Sequence, residues 1–482
     1  MMMETLAELT KKITKNKAES QTIEVKSAHN GCPERLYDTL SSFSNQDCGG
    51  IIVFGIDKAS AFSVVGVYDL QDLQKKVTEQ CLQMEPLVRA VFTFAEVDGK
   101  NVCSAEIPGL DISERPCYYK GIGRLKGSYL RVGDADLAMT DYELYSFEGF
   151  RKHLHDDERI VERAAMDSLD ADSVGRYVAE KKMDRPKFSQ LPLSTVYEML
   201  NILRGGIPTL ASLMNFGVYP QGYFPQLGIT AIVVPGNEIG DTSEQDVRFL
   251  DNKRIEGNLT AMVTEAITFC VRNMKVRTII DKKTGKRKDQ TEYPIAAIRE
   301  AILNAVIHRD YSIYTEGTPI QIDIFMDRIE FHSPGSLYGR MTVDQLGIAK
   351  PDLRNPALAV MAEALTEAEN RYSGIPTMRR ELAEAGLPAP VFENRRNEFV
   401  VTFFNKKIEN SLSEKIEEES YGDVVEFCKI PRTRHEIAEF LGIKTVFYAS
   451  STYILPLVAQ GKLKMTIPDK PKSKNQKYYS GL

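Results

Sequence analysis

The chain lacks any pair of cysteines at Cys-x-x-Cys spacing; its seven cysteines are scattered. That excludes a zinc ribbon and gives no disulfide framework, so thiols in a reducing compartment, and a cytoplasmic location, are expected. Long apolar runs are missing too. No stretch approaches a membrane span, and residues 1–20 are too polar for a signal peptide. Nor is there an excess of positive charge. The net charge of −6 excludes wholesale coating of nucleic acid but leaves room for a local basic element. What is present is ordinary for a soluble folded chain: 43% hydrophobic and 27% charged residues over 482 positions, enough for several domains with their own cores.

The most informative stretch is Pro294 to Tyr311, PIAAIREAILNAVIHRDY. Pro294 opens a helix where its missing N–H costs nothing. Ile295, Ile298, Ile302 and Val306 recur at helical spacing and predict one apolar stripe. The opposite face carries Glu300, Asn304 and His308 at intervals of four. A carboxylate, an amide and an imidazole along one line of a core helix need a ligand, a metal or a hydrogen-bond network, because unpaired buried polar groups are costly.

Glu300-x-x-x-Asn304 resembles the N-box of the GHKL ATPase superfamily (gyrase B subunits, MutL-type proteins, histidine kinases). That resemblance implies ATP with Mg²⁺: the Asn304 oxygen would hold the metal that bridges the phosphates, and Glu300 would orient or deprotonate the attacking water. The residue types fit, since Mg²⁺ takes few hard oxygen ligands from protein. Two expected strands, Ile320–Asp323 and Arg328–Phe331, lead into Ser333-Pro334-Gly335-Ser336-Leu337. Then come Arg354-Asn355-Pro356, Tyr372-Ser373-Gly374-Ile375 and a strand at Glu398–Phe404. In this order they are similar to a divergent GHKL branch of ATP-binding regulators and helicase-related proteins, over about residues 286–406. The resemblance implies a GHKL-like α/β sandwich with Asn304, His308, Ser333, Gly335, Ser373 and Gly374 around the nucleotide. The pattern is degenerate here. No carboxylate follows the second strand to take the adenine amino group; Asp327 is expected at its far end, and the second glycine box has lost one Gly. Weakened nucleotide binding, with little turnover, is the consequence.

The first 147 residues are expected to hold a strand at Gln21–Lys26, a helix at Glu34–Ser44, a strand at Ile51–Ile56 and a helix at Leu70–Leu82. A hairpin of Val91–Glu96 and Lys100–Ile107 turns over Asp98-Gly99. Glu24-Val25-Lys26, Phe43-Ser44-Asn45 with Gly49-Gly50, and Gly55-Ile56-Asp57 resemble the Schlafen-type Alba-related domain. Two functions stay open on that resemblance. Glu19, Glu24 and Asp57 would hold a divalent metal and Lys26 a phosphate in a nuclease; otherwise Glu24 and Lys26 are an ion pair on a DNA-binding module.

Residues 148–285 are expected to connect and pack on the ATPase-like part, with a charged helix at Glu148–Ala165, a strand at Gly228–Val233 and a helix at Thr260–Met274. After an acidic linker, 407–420, residues 421–482 are expected as a winged helix-turn-helix, with helices at Val424–Cys428, Thr433–Leu441 and Thr445–Gln460 and wing strands at Lys462–Ile467 and Lys477–Tyr479. Lys444, Thr445, Ser451, Lys462, Lys464, Lys472 and Lys474 are its candidate DNA contacts. The fold class expected is thus α/β (α+β) and multidomain. The function expected is a nucleotide-responsive DNA-binding protein, a transcriptional regulator on double-stranded DNA, as a homodimer reading paired half-sites. The alternatives are a metal-dependent nuclease and an active ATPase.

Overall fold

The computed structural model describes residues 5–243, 246–280, 287–366, 374–395, 397–405, 424–440, 454, 457–458, 462–467 and 476–480. The chain divides into two compact units, Met1–Asn405 and Lys406–Leu482.

In the first unit, helix α1 (Leu6–Asn16) starts from a reciprocal cap between Thr5 and Glu8. Strand β1 (Ile23–Lys26) runs parallel to β2 (Gly50–Phe54), joined by helix α2 (Tyr37–Ser44). After helix α3 (Leu70–Cys81), strands β3 (Val91–Val97) and β4 (Lys100–Ile107) form the expected hairpin, and the sheet order is β1-β2-β4-β3. Alternation along β2 sends Ile52 and Phe54 against Leu36, Leu40 and Phe43 on one face, and Val53 against Leu9 and Ile13 of α1 on the other. The short hairpin β5 (Tyr129–Val132) and β6 (Ala135–Ala138) follows.

The charged helix expected at 148–165 begins earlier and is shorter: α4 spans Asp141–Arg151. A Thr140–Glu143 capping box fixes its start, and His153 at φ 52° turns the chain out of the helix. Residues beyond it run as turns and two short 3₁₀ segments to helix α5 (Ala171–Met183); two short helices, Pro186–Ser189 and Leu193–Met199, and a small hairpin then lead to α6 (Leu210–Phe216).

A six-stranded sheet follows. It contains β7 (Ile229–Val233), β8 (Asp251–Ile255), β9 (Ile320–Ile324), β10 (Arg328–Pro334), β11 (Val391–Asn394) and β12 (Glu398–Phe404), in the order β8-β7-β9-β10-β12-β11. Only β7 and β9 pair in parallel. One face is covered by α7 (Leu259–Asn273), α8 (Ile295–Ile307), α9 (Pro356–Thr366) and α10 (Gly374–Glu384). Helix α8 is apolar around most of its girth: Ala297, Ile298, Ala301, Ile302, Leu303, Ala305 and Val306 are all buried. Two details differ from expectation. Pro294 is the N-cap instead of the first helical residue, and Ile295 stands 41% exposed, outside the apolar stripe. The first turn projects beyond the layer that buries the rest.

In the second unit, the described residues include helix α11 (Arg434–Phe440) and three short strands: Arg432–Thr433, Lys464–Met465 and Lys477–Tyr479. The last of these lies in the middle of their sheet. Val424, Cys428, Ile437, Ile454, Leu457, Leu463 and Tyr478 form its core. The third helix expected at Thr445–Gln460 lies largely outside the described residues. All seven cysteines are free thiols, and no helix among the described residues is long and apolar enough to cross a membrane.

Candidate nucleotide site

Helix α8 carries its polar line to the wall of a cavity of about 180 Å³ between the sheet and α10. Glu300, Asn304 and His308 line it, joined by Ser333 and Gly335 from the end of β10 and by Gly374 at the start of α10. Ser373 lies outside the described residues. The sequence spacing and the fold therefore bring six of the expected residues to one place.

Asn304 donates its amide N–H to the Glu300 carbonyl at 2.7 Å, which orients Oδ1 as the remaining polar atom. Gly374 packs directly on this pair: a Cβ there would lie 2.7 Å from Glu300 Oε2 and 2.9 Å from Asn304 Nδ2. The first turn of α10, with N–H groups that no helical carbonyl satisfies and the positive end of the helix dipole, thus sits beside Glu300 and Asn304. His308 ends α8 with its side chain exposed to the cavity, while neighbouring protein atoms crowd the ring. Desolvation, with the Arg354 charge adding to it, lowers its pKa to about 4. The imidazole is neutral at physiological pH.

The turn after β10 is fixed by charge. Gly335 takes φ +99°, and a Cβ there would come within 2.3 Å of Arg354 Nη1 and 2.4 Å of Asp310 Cβ. Arg354 Nη1 pairs with Asp310 Oδ2 at 3.1 Å, and its Nη2 donates to the Ser336 carbonyl at 2.7 Å. Burial pushes the Asp310 carboxyl up, but the Arg354 charge, the Ser312 N–H and the Tyr142 hydroxyl outweigh it and hold it below the usual range. Next in the chain, Asn355 donates to the carbonyls of Ile307 at 2.8 Å and Arg309 at 2.7 Å, satisfying the end of α8. Ser333 Oγ donates to the Ala305 carbonyl at 2.9 Å and so ties β10 to the same helix.

Tyr338, Asp352, Arg354 and Glu363 also line the cavity, and none was expected there. Arg354-Asn355-Pro356 carried the one usable signal, polar residues just ahead of a proline that starts a helix. Tyr338 and Asp352 sit in irregular chain, where no periodicity points to a face. Asp327 lies where expected, in the turn at the opposite end of β10, with its carbonyl accepting the Asn405 N–H at 3.0 Å.

In the N-terminal sheet, Glu19 and Glu24 converge, but on cations. Lys58 Nζ lies 2.6 Å from Glu19 Oε2 and 3.3 Å from Glu24 Oε1. Lys26 reaches Glu24 Oε1 at 2.8 Å and Arg131 reaches its Oε2 at 2.9 Å. Asp57 turns to its own loop, accepting from Ala59 N–H at 3.2 Å and Ser60 Oγ at 2.5 Å. Among the described residues these three carboxylates do not gather at metal-ligand distances. In the second unit Lys462 and Lys464 are exposed; Lys444, Thr445, Ser451, Lys472 and Lys474 lie outside the described residues.

Comparison with known families assigns parts of the chain. Residues 19–140 match the family described as Schlafen, AlbA_2. Residues 317–403 match the family described as putative ATP-dependent DNA helicase recG C-terminal, of the HATPase_c_4 type. Residues 425–479 match the C-terminal domain of filamentation induced by cAMP protein Fic-like. No curated protein matches. Among solved structures, the DIP2311 protein of Corynebacterium diphtheriae is 17% identical over 96% of this chain and 92% of its own, with a TM-score of 0.41. The N-terminal domain of a putative ATP-dependent DNA helicase RecG-related protein from Nitrosomonas europaea is 24% identical over 29% of this chain and 95% of its own, with a TM-score of 0.24. This α/β chain thus joins an N-terminal domain of the Schlafen AlbA_2 type to an ATPase-like domain of the RecG-related type.

Proposed function

We propose that the protein binds ATP with Mg²⁺ in the cavity beneath the six-stranded sheet, and that the bound nucleotide adjusts its grip on double-stranded DNA, as in a transcriptional regulator of the cytoplasm. The observation that carries this reading is the convergence of Glu300, Asn304, His308, Gly335 and Gly374 on one cavity. The donor set fits the ligand. Leu303, Phe331 and Met378 offer apolar walls to a base, the N-terminus of α10 suits phosphate, and the Asn304 oxygen suits a hard cation. When bound, Mg²⁺ supplies neutralisation of the phosphate charge. Neutral His308 adds a hydrogen bond without adding charge. Glu300 is placed to orient a water, yet the end of β10 offers no carboxylate to an adenine amino group. Sensing therefore takes precedence over fast turnover.

DNA binding is assigned to the AlbA_2-type domain and to a winged helix-turn-helix in the second unit. Lys462, Lys464, Lys472 and Lys474 would meet phosphates, and Lys444, Thr445 and Ser451 would approach the groove, in a homodimer on paired half-sites. Isothermal titration with ATP and Mg²⁺, beside an Asn304→Ala variant, tests the core of the reading. Binding that the substitution abolishes, together with a DNA affinity that changes when ATP is added, is expected. Absence of heat in the wild-type protein would mean that the ATPase-like domain is a scaffold only.

A further inference from the structure

The six-stranded sheet carries a second group of ionisable side chains on its other face. Alternation turns Ile329, Phe331 and Ser333 of β10 toward the helices, and Glu330 and His332 away from them. Asp323 of β9 pairs in register with Glu330 and lies on the same far face. One ligand atom from each of Asp323, Glu330 and His332 falls within 4.8 Å of the others. Nε2 of His332 stands 3.1 Å from Glu330 Oε2 and 3.7 Å from Asp323 Oδ2, while its Nδ1 lies 3.1 Å from Glu398 Oε2 on β12.

The outer oxygens of the two glutamates are already committed. Arg328 Nε lies 2.6 Å from Glu330 Oε1, and Arg395 Nη1 lies 2.9 Å from Glu398 Oε1. For Asp323 the nearest cationic group among the described residues is the His332 ring, with Nε2 at 3.7 Å. The Asp323 side chain is only 8% exposed, and 3.7 Å to His332 is too long for a hydrogen bond. No hydrogen bond to its carboxylate occurs among the described residues. A buried carboxylate aimed at an imidazole nitrogen and a second carboxylate oxygen is stabilised by a cation held between them.

We propose that Asp323, Glu330 and His332 hold a divalent transition-metal ion of the Zn²⁺ class. The mixed imidazole and carboxylate set suits such an ion better than Mg²⁺, which keeps its waters and takes oxygen. Glu398 on Nδ1 fixes the ring and its tautomer, so that Nε2 presents its lone pair to the metal; this is the usual outer partner of a metal-binding histidine. Three protein ligands leave a further position, and a cavity of about 650 Å³, lined by His332, Glu398, Gln321, Thr140 and Tyr142, borders the cluster and supplies access to it. The site lies across the sheet from the nucleotide cavity and stands independently of ATP binding. The competing occupant is a proton on His332, which would leave the cluster as an ion-pair network.

The test is calorimetric titration of chelator-treated full-length protein with Zn²⁺ at neutral pH, beside Asp323→Asn, His332→Ala and Glu398→Gln. One ion per chain is expected, with affinity lowered at least tenfold in the first two variants and roughly ten- to hundred-fold in the third. Co²⁺ substitution should give visible absorption bands that His332→Ala removes. Asp323→Asn keeps the shape of the side chain, and circular dichroism confirms that each variant is folded. Zn²⁺ uptake unchanged in Asp323→Asn would place the ion elsewhere, on free thiols for instance, and overturn the proposal. No uptake at all would equally overturn it, leaving a protonated His332 as the occupant.

Discussion

Tyr142 donates its hydroxyl hydrogen to Asp310 at 2.7 Å, and so links the helix that leaves the N-terminal domain to the ion pair at the rim of the cavity lined by Glu300 and Asn304. Asp310 in turn holds Arg354, which lines the cavity. A ligand that moves Arg354 therefore changes the seat of α4. Coupling requires such an element, whose equilibrium both sites bias. Tyr142→Phe removes one hydrogen bond and little volume. ATP affinity should stay within about twofold, while the effect of ATP on DNA affinity shrinks; fluorescence anisotropy with and without nucleotide measures both. A variant with full nucleotide response would sink this route.

The Asp310–Arg354 pair is itself structural. With side chains 6% and 10% exposed, each ion depends on the other for compensation. Removing one member of a buried pair strands its partner, at a cost of roughly 3–5 kcal/mol. Arg354→Ala should unfold at clearly lower denaturant concentration than the wild type. Arg354→Met should do no better, because it too leaves Asp310 without a cation. Equal midpoints for wild type and variants would show that the pair contributes nothing net.

A second link across the same unit is sensitive to pH. Asp157 Oδ2 accepts the Leu358 N–H at 2.8 Å, capping the first turn of α9 from the connecting segment. Burial raises the Asp157 pKa from 3.8 to about 6, and the nearby Glu158 adds to the shift against the pull of the Leu358 hydrogen bond. Between those values the folded state binds more protons than the unfolded one, so the contribution of this group falls as pH rises through the window. Asp157→Asn keeps the acceptor without the ionisation. The variant should gain on the wild type by on the order of 2–3 kcal/mol from about pH 4 to above pH 6. Urea unfolding of both proteins across that range checks the sign. A difference that does not vary with pH would mean that Asp157 ionises normally.

The cavity beneath the sheet was legible because helical periodicity alone places Glu300, Asn304 and His308 on one line. Four of the six strands around it were legible, with β10 running three residues past the expected Phe331, but the edge strands β8 and β11 were not. Other features were not, for reasons that differ. Asp323 and Glu330 meet through strand register, which no local spacing encodes. Glu24 and Arg131 meet although 107 residues apart, a contact that only the tertiary fold creates. The helix expected at 148–165 was inferred from charge, but a capping box at Thr140 and Glu143 decided where it began. Arg354 was visible as part of a motif, yet its role depended on a carboxylate far back in the chain.

Glu24 separates the two readings of the N-terminal domain. Its carboxylate is 5% exposed and meets Lys26, Lys58 and Arg131 within 3.3 Å. Burial works against its ionisation, but the Lys26 hydrogen bond and charge, then Lys58 and Arg131, hold its pKa below the usual range. A nuclease would need this carboxylate to exchange those cations for a metal, and Asp57 to leave the Ser60 hydroxyl for the same ion. As an ion-pair hub on a binding module, Glu24 needs no such rearrangement. Glu24→Gln should therefore lower thermal stability by several degrees, since it leaves buried Arg131 with Asp136 as its remaining carboxylate. Neither wild type nor variant should cleave RNA or DNA in Mn²⁺ or Mg²⁺. Metal-dependent cleavage by the wild type, lost in Glu24→Gln without loss of folding, would reverse the assignment and make the domain a nuclease.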